Sequence, residues 1–165
     1  GDLPIHVAIR AGDIGATSRI IKDVKNSGAF LRNRSGEHAL HLAAKLSKPQ
    51  ILSVLLLLGV DRTVRDPEGR TVLMEAVRAK GPAHETELLL HVTLSPESRS
   101  SGIDIDARDN HGMTALMYAI EARNELAIRG LIAAGARVDQ RNDSGLTAHD
   151  LARQNGLLQL LPPEQ

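Results

Sequence analysis

The sequence predicts an all-α solenoid of helix–turn–helix units, stacked one on the next. Three observations carry this reading. A glycine-led pattern begins at Gly36, Gly69, Gly112 and Gly145, at spacings of 33, 43 and 33 residues, and its shape is already present after Gly1. Self-similarity at such a period is the mark of a repeat array. Within each unit, apolar residues recur at i, i+3 and i+4, the stripe of one helical face. Finally, the 165 residues include one Phe and one Tyr, Phe30 and Tyr118, and no Trp. An interior of Leu, Ile, Val and Ala suits thin helical layers better than a thick core filled by rings.

Taken in order, the units span about 1–35, 36–68, 69–111, 112–144 and 145–165, in a single domain. The first opens with "LPIHVAI" from Leu3. In the second, "HALHLAA" places Leu40, Ala43 and Ala44 on one face. Pro49 suits the first turn of the following helix, where its missing N–H costs nothing. Ile51, Leu52, Leu55 and Leu56 mark that helix's buried side, and Gly59 its left-handed stop. The four leucines Leu55 to Leu58 sit in an apolar run from Leu52 to Val60, interrupted by Ser53 and Gly59. A membrane span needs roughly 20 apolar residues, so the run is too short. Successive side chains point about 100° apart. One hairpin cannot bury both faces of its helices, so units must stack. All four leucines are therefore expected to pack between units.

The third unit opens with "TVLMEAV" from Thr71 and carries the extra ten residues as an insert, 93–102. The insert is Ser-rich with almost no apolar content after Leu94, so a mobile loop is expected. Its Ser95-Pro96 is a candidate phosphorylation site. The fourth unit repeats the second with Ala115, Leu116, Ala119 and Ile120, then Leu126, Ile128, Leu131 and Ile132, ending at Gly135. The fifth, "TAHDLAR", is followed by a second helix of only about five residues before Pro162-Pro163 forbids continuation. It is expected to fray first.

Composition removes several classes of function. Lys plus Arg equals Asp plus Glu, 20 against 20, so no global field attracts nucleic acid or an acidic membrane. The absence of Cys excludes disulfides and thiolate metal sites, and suits a cytoplasmic or nuclear setting. No signal-peptide pattern opens the sequence. His38 and His41 form H-x-x-H, but no third ligand lies nearby and His41 has a place in the repeat. Asp104, Asp106 and Asp109 alternate as in a calcium loop, without the glycine and distal glutamate such a loop needs. Phosphate-binding and nucleophile motifs do not occur. The reading is no enzyme, no catalytic or metal residues, no cofactor and no small-molecule substrate. Arg62, Arg65, Arg70 and Arg78 could meet phosphates. Asp61, Asp66, Glu68 and Glu75 interleave with them, so a mixed-charge surface is preferred over direct nucleic-acid binding.

The segments "ALHLAA" (39–44), "GRTVLMEAV" (69–77) and "DNHGMTALMYAI" (109–120) resemble the ankyrin repeat, with its T-P-L-H-x-A signature at about 33 residues. The resemblance covers nearly the whole chain. It implies a slightly curved stack of helical pairs with β-hairpin fingers along one edge. Proline survives only at Pro4 and the signature histidine only at His6 and His41, with Met74, Met117 and Asp150 elsewhere. Units three to five are therefore expected to lean on apolar contact. A narrower likeness links "VKNSGAFL" (24–31), the swollen third unit and "IDIDARDNHG" (103–112) to the inhibitor-of-NF-κB and Notch ankyrin domains, which act in transcriptional signalling.

The resemblance further implies a protein-binding module that presents a rigid concave face made by the fingers and the exposed side of each first helix. Those positions are Arg34, Glu37, Lys45, Arg70, Glu75, Arg78, His111, Met113, Tyr118 and Glu121, with Tyr118 as the anchor. Alternatives from other classes are a spacer, or a regulatory or substrate-recruiting array of a larger enzyme, ubiquitin-ligase adaptor or pathogen effector.

Overall fold

A computed structural model describes residues 2–24, 31–94 and 103–163. Its helices are α1 (Pro4–Ala11), α2 (Ile14–Val24), α3 (Ala39–Lys45), α4 (Pro49–Leu57), α5 (Val72–Arg78), α6 (Ala83–Leu94), α7 (Ala115–Glu121), α8 (Glu125–Ala133) and α9 (Ala148–Asn155). They form two rows. The first helices α1, α3, α5, α7 and α9 pack side by side, and α2, α4, α6 and α8 form a second row against them. A 3-10 turn, Leu158–Leu160, closes the second row where the sequence predicts a five-residue helix.

In units two to five the first helix starts where the unit supplies a side-chain cap, whereas α1 follows Leu3 with Pro4 in its first turn and has none. The hydroxyls of Thr71, Thr114 and Thr147 accept from the N–H of Met74, Met117 and Asp150 at 3.2–3.3 Å. In the second unit His38 takes this place, its Nδ1 accepting from the N–H of Leu40 at 3.2 Å. Each such cap contributes about 1 kcal/mol. Pro4 and Pro49 lie in the first turns of α1 and α4, as their missing N–H groups dictate. Gly59 and Gly135 take the left-handed conformation that stops α4 and α8, with φ of 81° and 88°.

Sandwiched first helices are buried on nearly every side: all of Ala39 to Ala44, Val72 to Val77 and Ala115 to Met117 are buried. The second row is more selective. Leu55 and Leu56 pack inward and Leu58 is half-buried, but Leu57 is 82% exposed, against the expectation that all four leucines pack. At about 100° per residue, Leu57 stands some 200° from Leu55 and meets solvent. Leu126, expected inside, is likewise exposed, and Ala127 takes the inward place. At the third unit's end, Thr93 and Leu94 belong to α6 rather than to the insert. Thr93 is fully buried and its hydroxyl donates to the carbonyl of Leu89 at 2.8 Å. Ser95-Pro96 and the remainder of the insert lie outside the described residues, as does most of "VKNSGAFL".

Between units the chain turns through four fingers: first (31–38), second (64–71), third (107–114) and fourth (140–147). Each is built on one Asn or Asp. The side chains of Asn33, Asp66, Asp109 and Asn142 accept from backbone N–H groups two and four residues on, at 2.8–3.0 Å. The backbone N–H of the same residue donates across the turn, to Glu37, Arg70, Met113 and Leu146. The expected hairpins are thus tight turns, and the β pairing seen among the described residues is one bridge, Arg32 with His38.

Histidine stitches the first units together. His6 Nε2 donates to the carbonyl of Glu37 at 2.9 Å, and His41 Nε2 to that of Arg70 at 2.8 Å. Each carbonyl lies just ahead of the next unit's helix cap. Met74 and Met117, which take the position in units three and four, are buried to 0% and 1% within the core, and Met74 Sδ accepts from the N–H of Thr71 at 3.4 Å.

Candidate protein-binding surface

On the side where fingers meet the first-helix row, one polar network runs from the second unit through the third to the fourth. Arg70 is its hub. Its Nε lies 2.7 Å from Asp66 Oδ2 and 2.9 Å from Glu75 Oε1, and its Nη2 donates to Glu68 at 3.0 Å. Glu75 Oε1 also receives Arg78 Nη1 at 2.8 Å. The Arg78 guanidinium lies 4.9 Å from the centre of the Tyr118 ring, within cation–π range. The Tyr118 hydroxyl then donates to Asp109 Oδ2 at 2.5 Å, and Asp109 holds the third finger through its other oxygen.

The electrostatics follow from this packing. Burial works against the Arg70 charge, yet Asp66, Glu75 and Glu68 outweigh it and raise its pKa. Burial first, then the bond to Asp109, holds the Tyr118 hydroxyl well above its ordinary pKa, so it stays protonated as a donor. With its hydroxyl and ring face both engaged, Tyr118 has one orientation fixed before any partner arrives.

Four of the sequence-predicted positions, Arg70, Glu75, Arg78 and Tyr118, are therefore brought into direct contact. Glu37 and Lys45 form a separate pair at 3.2 Å, with Arg10 at 3.5 Å from Glu37. These two lie by a cavity of about 340 Å3 between the first and second fingers, which reaches Arg70 and Glu75. Arg34, His111 and Glu121 are exposed and stand apart.

Two positions expected on the surface are not there. Met113 is buried, 7% exposed, wedged between the third and fourth fingers, where its sulfur accepts from Asn142 Nδ2 at 3.4 Å. Glu75 is 5% exposed, because two arginines close over it. Both shape the surface from beneath.

The other candidate chemistries are taken up by structure. His38 and His41 meet edge to face, with ring centres 6.2 Å apart, one capping α3 and the other bonding to Arg70. Burial, reinforced by the charges of His41 and Arg32, depresses the His38 pKa to about 3. Among the described residues no group of three or more His, Cys, Asp or Glu is placed to hold a metal. No described helix is long and apolar enough to cross a membrane. Of the arginines considered for phosphate, Arg70 and Arg78 are paired with carboxylates and Arg65 with carbonyls.

The finger arginines are what sequence reasoning missed. Arg32, Arg65, Arg108 and Arg141 each precede the finger Asn or Asp and donate to the glycine carbonyl four residues on, at 2.7–3.3 Å. Three of them also reach the next finger: Arg32 to the carbonyl of Arg65 at 2.7 Å, Arg65 to that of Arg108 at 2.8 Å, and Arg108 to that of Arg141 at 2.9 Å. The signal was present, an arginine recurring at the same 33, 43 and 33 spacing as the glycines.

Comparison with known proteins agrees with this architecture. The chain is 30% identical over 152 residues, 92% of its length, to a transient receptor potential cation channel subfamily A member 1 homolog of Caenorhabditis elegans, of which it spans 12%. It is 35% identical over 80 residues to the E3 ubiquitin-protein ligase KEG of Arabidopsis thaliana, covering 48% of this chain and 5% of that one. It is 37% identical over 75 residues to human NF-kappa-B inhibitor alpha, covering 44% and 24%. The chain thus spans a quarter or less of each of these relatives. The family model described as "Ankyrin repeats (3 copies)" matches residues 48–142, more than half of the sequence. With the signature segments, capped helix pairs and fingers in place, the chain belongs to the ankyrin repeat family.

Proposed function

We propose that this chain is a non-catalytic module that binds another protein through the face formed by its fingers and first helices, with Arg78 stacked on Tyr118 at the centre. Ankyrin repeats are protein-interaction modules. The observation that carries the assignment to this face is the Arg70–Glu75–Arg78–Tyr118–Asp109 network. Such locking lowers the ordering cost of docking, and Tyr and Arg are the residue types that most often dominate interfaces. Arg34, Glu37, Lys45, His111 and Glu121 would surround this centre. A role in transcriptional or signalling regulation, in the cytoplasm or nucleus, is part of the same proposal.

The test places a photo-crosslinking residue at Glu121, exposed on α7 three residues after Tyr118, or at Glu87, exposed on α6 in the other row. Partner crosslinks are expected from position 121 and not from 87. With the captured partner purified, Arg78→Ala and Tyr118→Phe are each expected to weaken binding roughly tenfold without lowering the melting temperature by more than a few degrees. Crosslinks from 87 alone, or full affinity in both variants, would place recognition elsewhere.

The small share of each relative that the chain covers favours a second reading, in which the array recruits or regulates within a larger protein. A ubiquitin ligase is one instance, and any catalysis would then belong to other segments. The binding surface and its test are the same in both cases.

A further inference from the structure

The fingers repeat not only their internal bonds but also two bonds to the finger that follows. In the second finger, Arg65 donates to the carbonyl of Arg108 and the carbonyl of Glu68 accepts the N–H of Asn110 at 3.0 Å. In the third, Arg108 donates to the carbonyl of Arg141 and the carbonyl of His111 accepts the N–H of Asp143 at 3.0 Å. The register is the same each time: the incoming segment offers a carbonyl at one residue and an N–H two residues later. Where Pro67 occupies the N–H position no such donor exists, and among the described residues the hydrogen bond from the first finger to the second is that of Arg32.

The fourth finger has the same outer edge with both groups open. Among the described residues, Arg141 donates to the carbonyl of Gly145 at 2.7 Å and makes no onward bond, and the carbonyl of Ser144, the counterpart of those of Glu68 and His111, has no N–H upon it. A side chain added at Gly69 or Gly112 would collide with the next finger, at Asn110 or Asp143, whereas one added at Gly145 would meet nothing within 4 Å. A cavity of about 1000 Å3 adjoins this edge, lined in part by Arg137, Arg141, Thr147 and Pro162.

The helical layer beside the open edge is already closed. Leu157 is buried, Leu160 and Leu161 pack on the core, and His149 Nε2 donates to the carbonyl of Pro162 at 2.7 Å. A whole further helical unit, or a second copy stacking end to end, would have to displace that tail. An extended segment need not.

We propose that the outer edge of the fourth finger is a docking site, apart from the helix-side face, for an extended segment of a partner polypeptide that places a carbonyl on Arg141 and, two residues on, an N–H on the carbonyl of Ser144. This is strand-like addition to an unpaired edge, in which backbone bonds supply affinity. Residue identity is constrained at one point: the N–H position cannot be proline.

The test supplies such a segment as a probe. A copy of residues 138–147 is tethered after Gln165 by a flexible Gly/Ser linker, which raises its effective concentration to the millimolar range. The amide of the tethered copy's second Asp is expected to exchange about tenfold or more slowly than in the free peptide, with a shift of the Arg141 Nε–H resonance. Both effects should vanish when that Asp is changed to Pro in the copy, and the amide protection should also be lost with Arg141→Gln in the host. Absence of protection in the tethered chain, or protection that survives both changes, would overturn the proposal. Concentration-dependent dimerisation of the untethered chain through the Arg141 resonance would assign the edge to a second copy instead.

Discussion

The third and fourth fingers share a local structure and differ in their neighbours. Both turn on an Asn or Asp that accepts two backbone N–H groups, both use a left-handed glycine, with φ of 71° at Gly112 and 77° at Gly145, and both carry an arginine that braces the turn. Yet Gly112 is buried against the backbone of Asp143, and Gly145 stands in open space. The local turn is thus written within a unit, while its packing comes from the finger that follows. That is the behaviour of a nearest-neighbour array, in which each interface contributes its own free energy.

The largest effect should come from the helical layer. Leu55→Ala is expected to cost about 2–5 kcal/mol in chemical denaturation, because Leu55 is fully buried in the core and its truncation leaves a cavity there. Leu57→Ala, two residues away, should change stability by less than about 0.5 kcal/mol, since Leu57 is 82% exposed. Equal effects would mean that α4 is rotated from the orientation described.

The finger comparison is sharpened by Gly112→Ala and Gly145→Ala. Both force a side chain into the left-handed region, at about 1 kcal/mol. At Gly112 the new methyl also lies 3.0 Å from the Asp143 backbone nitrogen and closer still to the Asp143 and Arg108 side chains. The expected loss is about 1 kcal/mol at Gly145 and about 2–3 kcal/mol at Gly112. Urea melts giving equal losses would break the distinction between interior and terminal fingers.

The units also differ in their caps, and this has a pH signature. In the second unit the cap is His38, whose folded pKa of about 3 lies below the ordinary 6.5. Between those values the unfolded chain binds the proton that the folded chain refuses, so stability falls as pH drops from about 6.5 toward 3. His38→Thr, which installs the residue that caps units three to five, should remove about 1–2 kcal/mol of the acid loss at pH 5. An unchanged pH profile would show that His38 is not neutral in the fold.

Sequence periodicity carried most of the architecture, because helix starts, stops and stripes are local features. Pro49 and Gly59 act where their own chemistry places them, whereas the capping by Thr71 and Thr114 emerges from the structure. Burial at single positions was less legible. Met113, in the third finger, is covered by Asn142 of the fourth, and Glu75 by Arg70 and Arg78, which fold back over it from either side in sequence; neither contact is set by the helical stripe. Leu57 and Leu126 erred the other way, since apolar character alone does not say which side of a helix a neighbour covers. The Tyr118–Asp109 bond joins a helix to the finger nine residues before it, a pairing that helical periodicity does not encode.

Amide hydrogen exchange tests most directly whether neighbours on both sides set the order of the stack. Residues 115–132 lie between α5 and α6 on one side and α9 with the closing 3-10 turn on the other, whereas 148–160 are covered on one side. Exchange in 115–132 is expected to be at least about tenfold slower than in 148–160 under native conditions. Equal protection of the two segments would contradict a stack whose rigidity is supplied by the following unit.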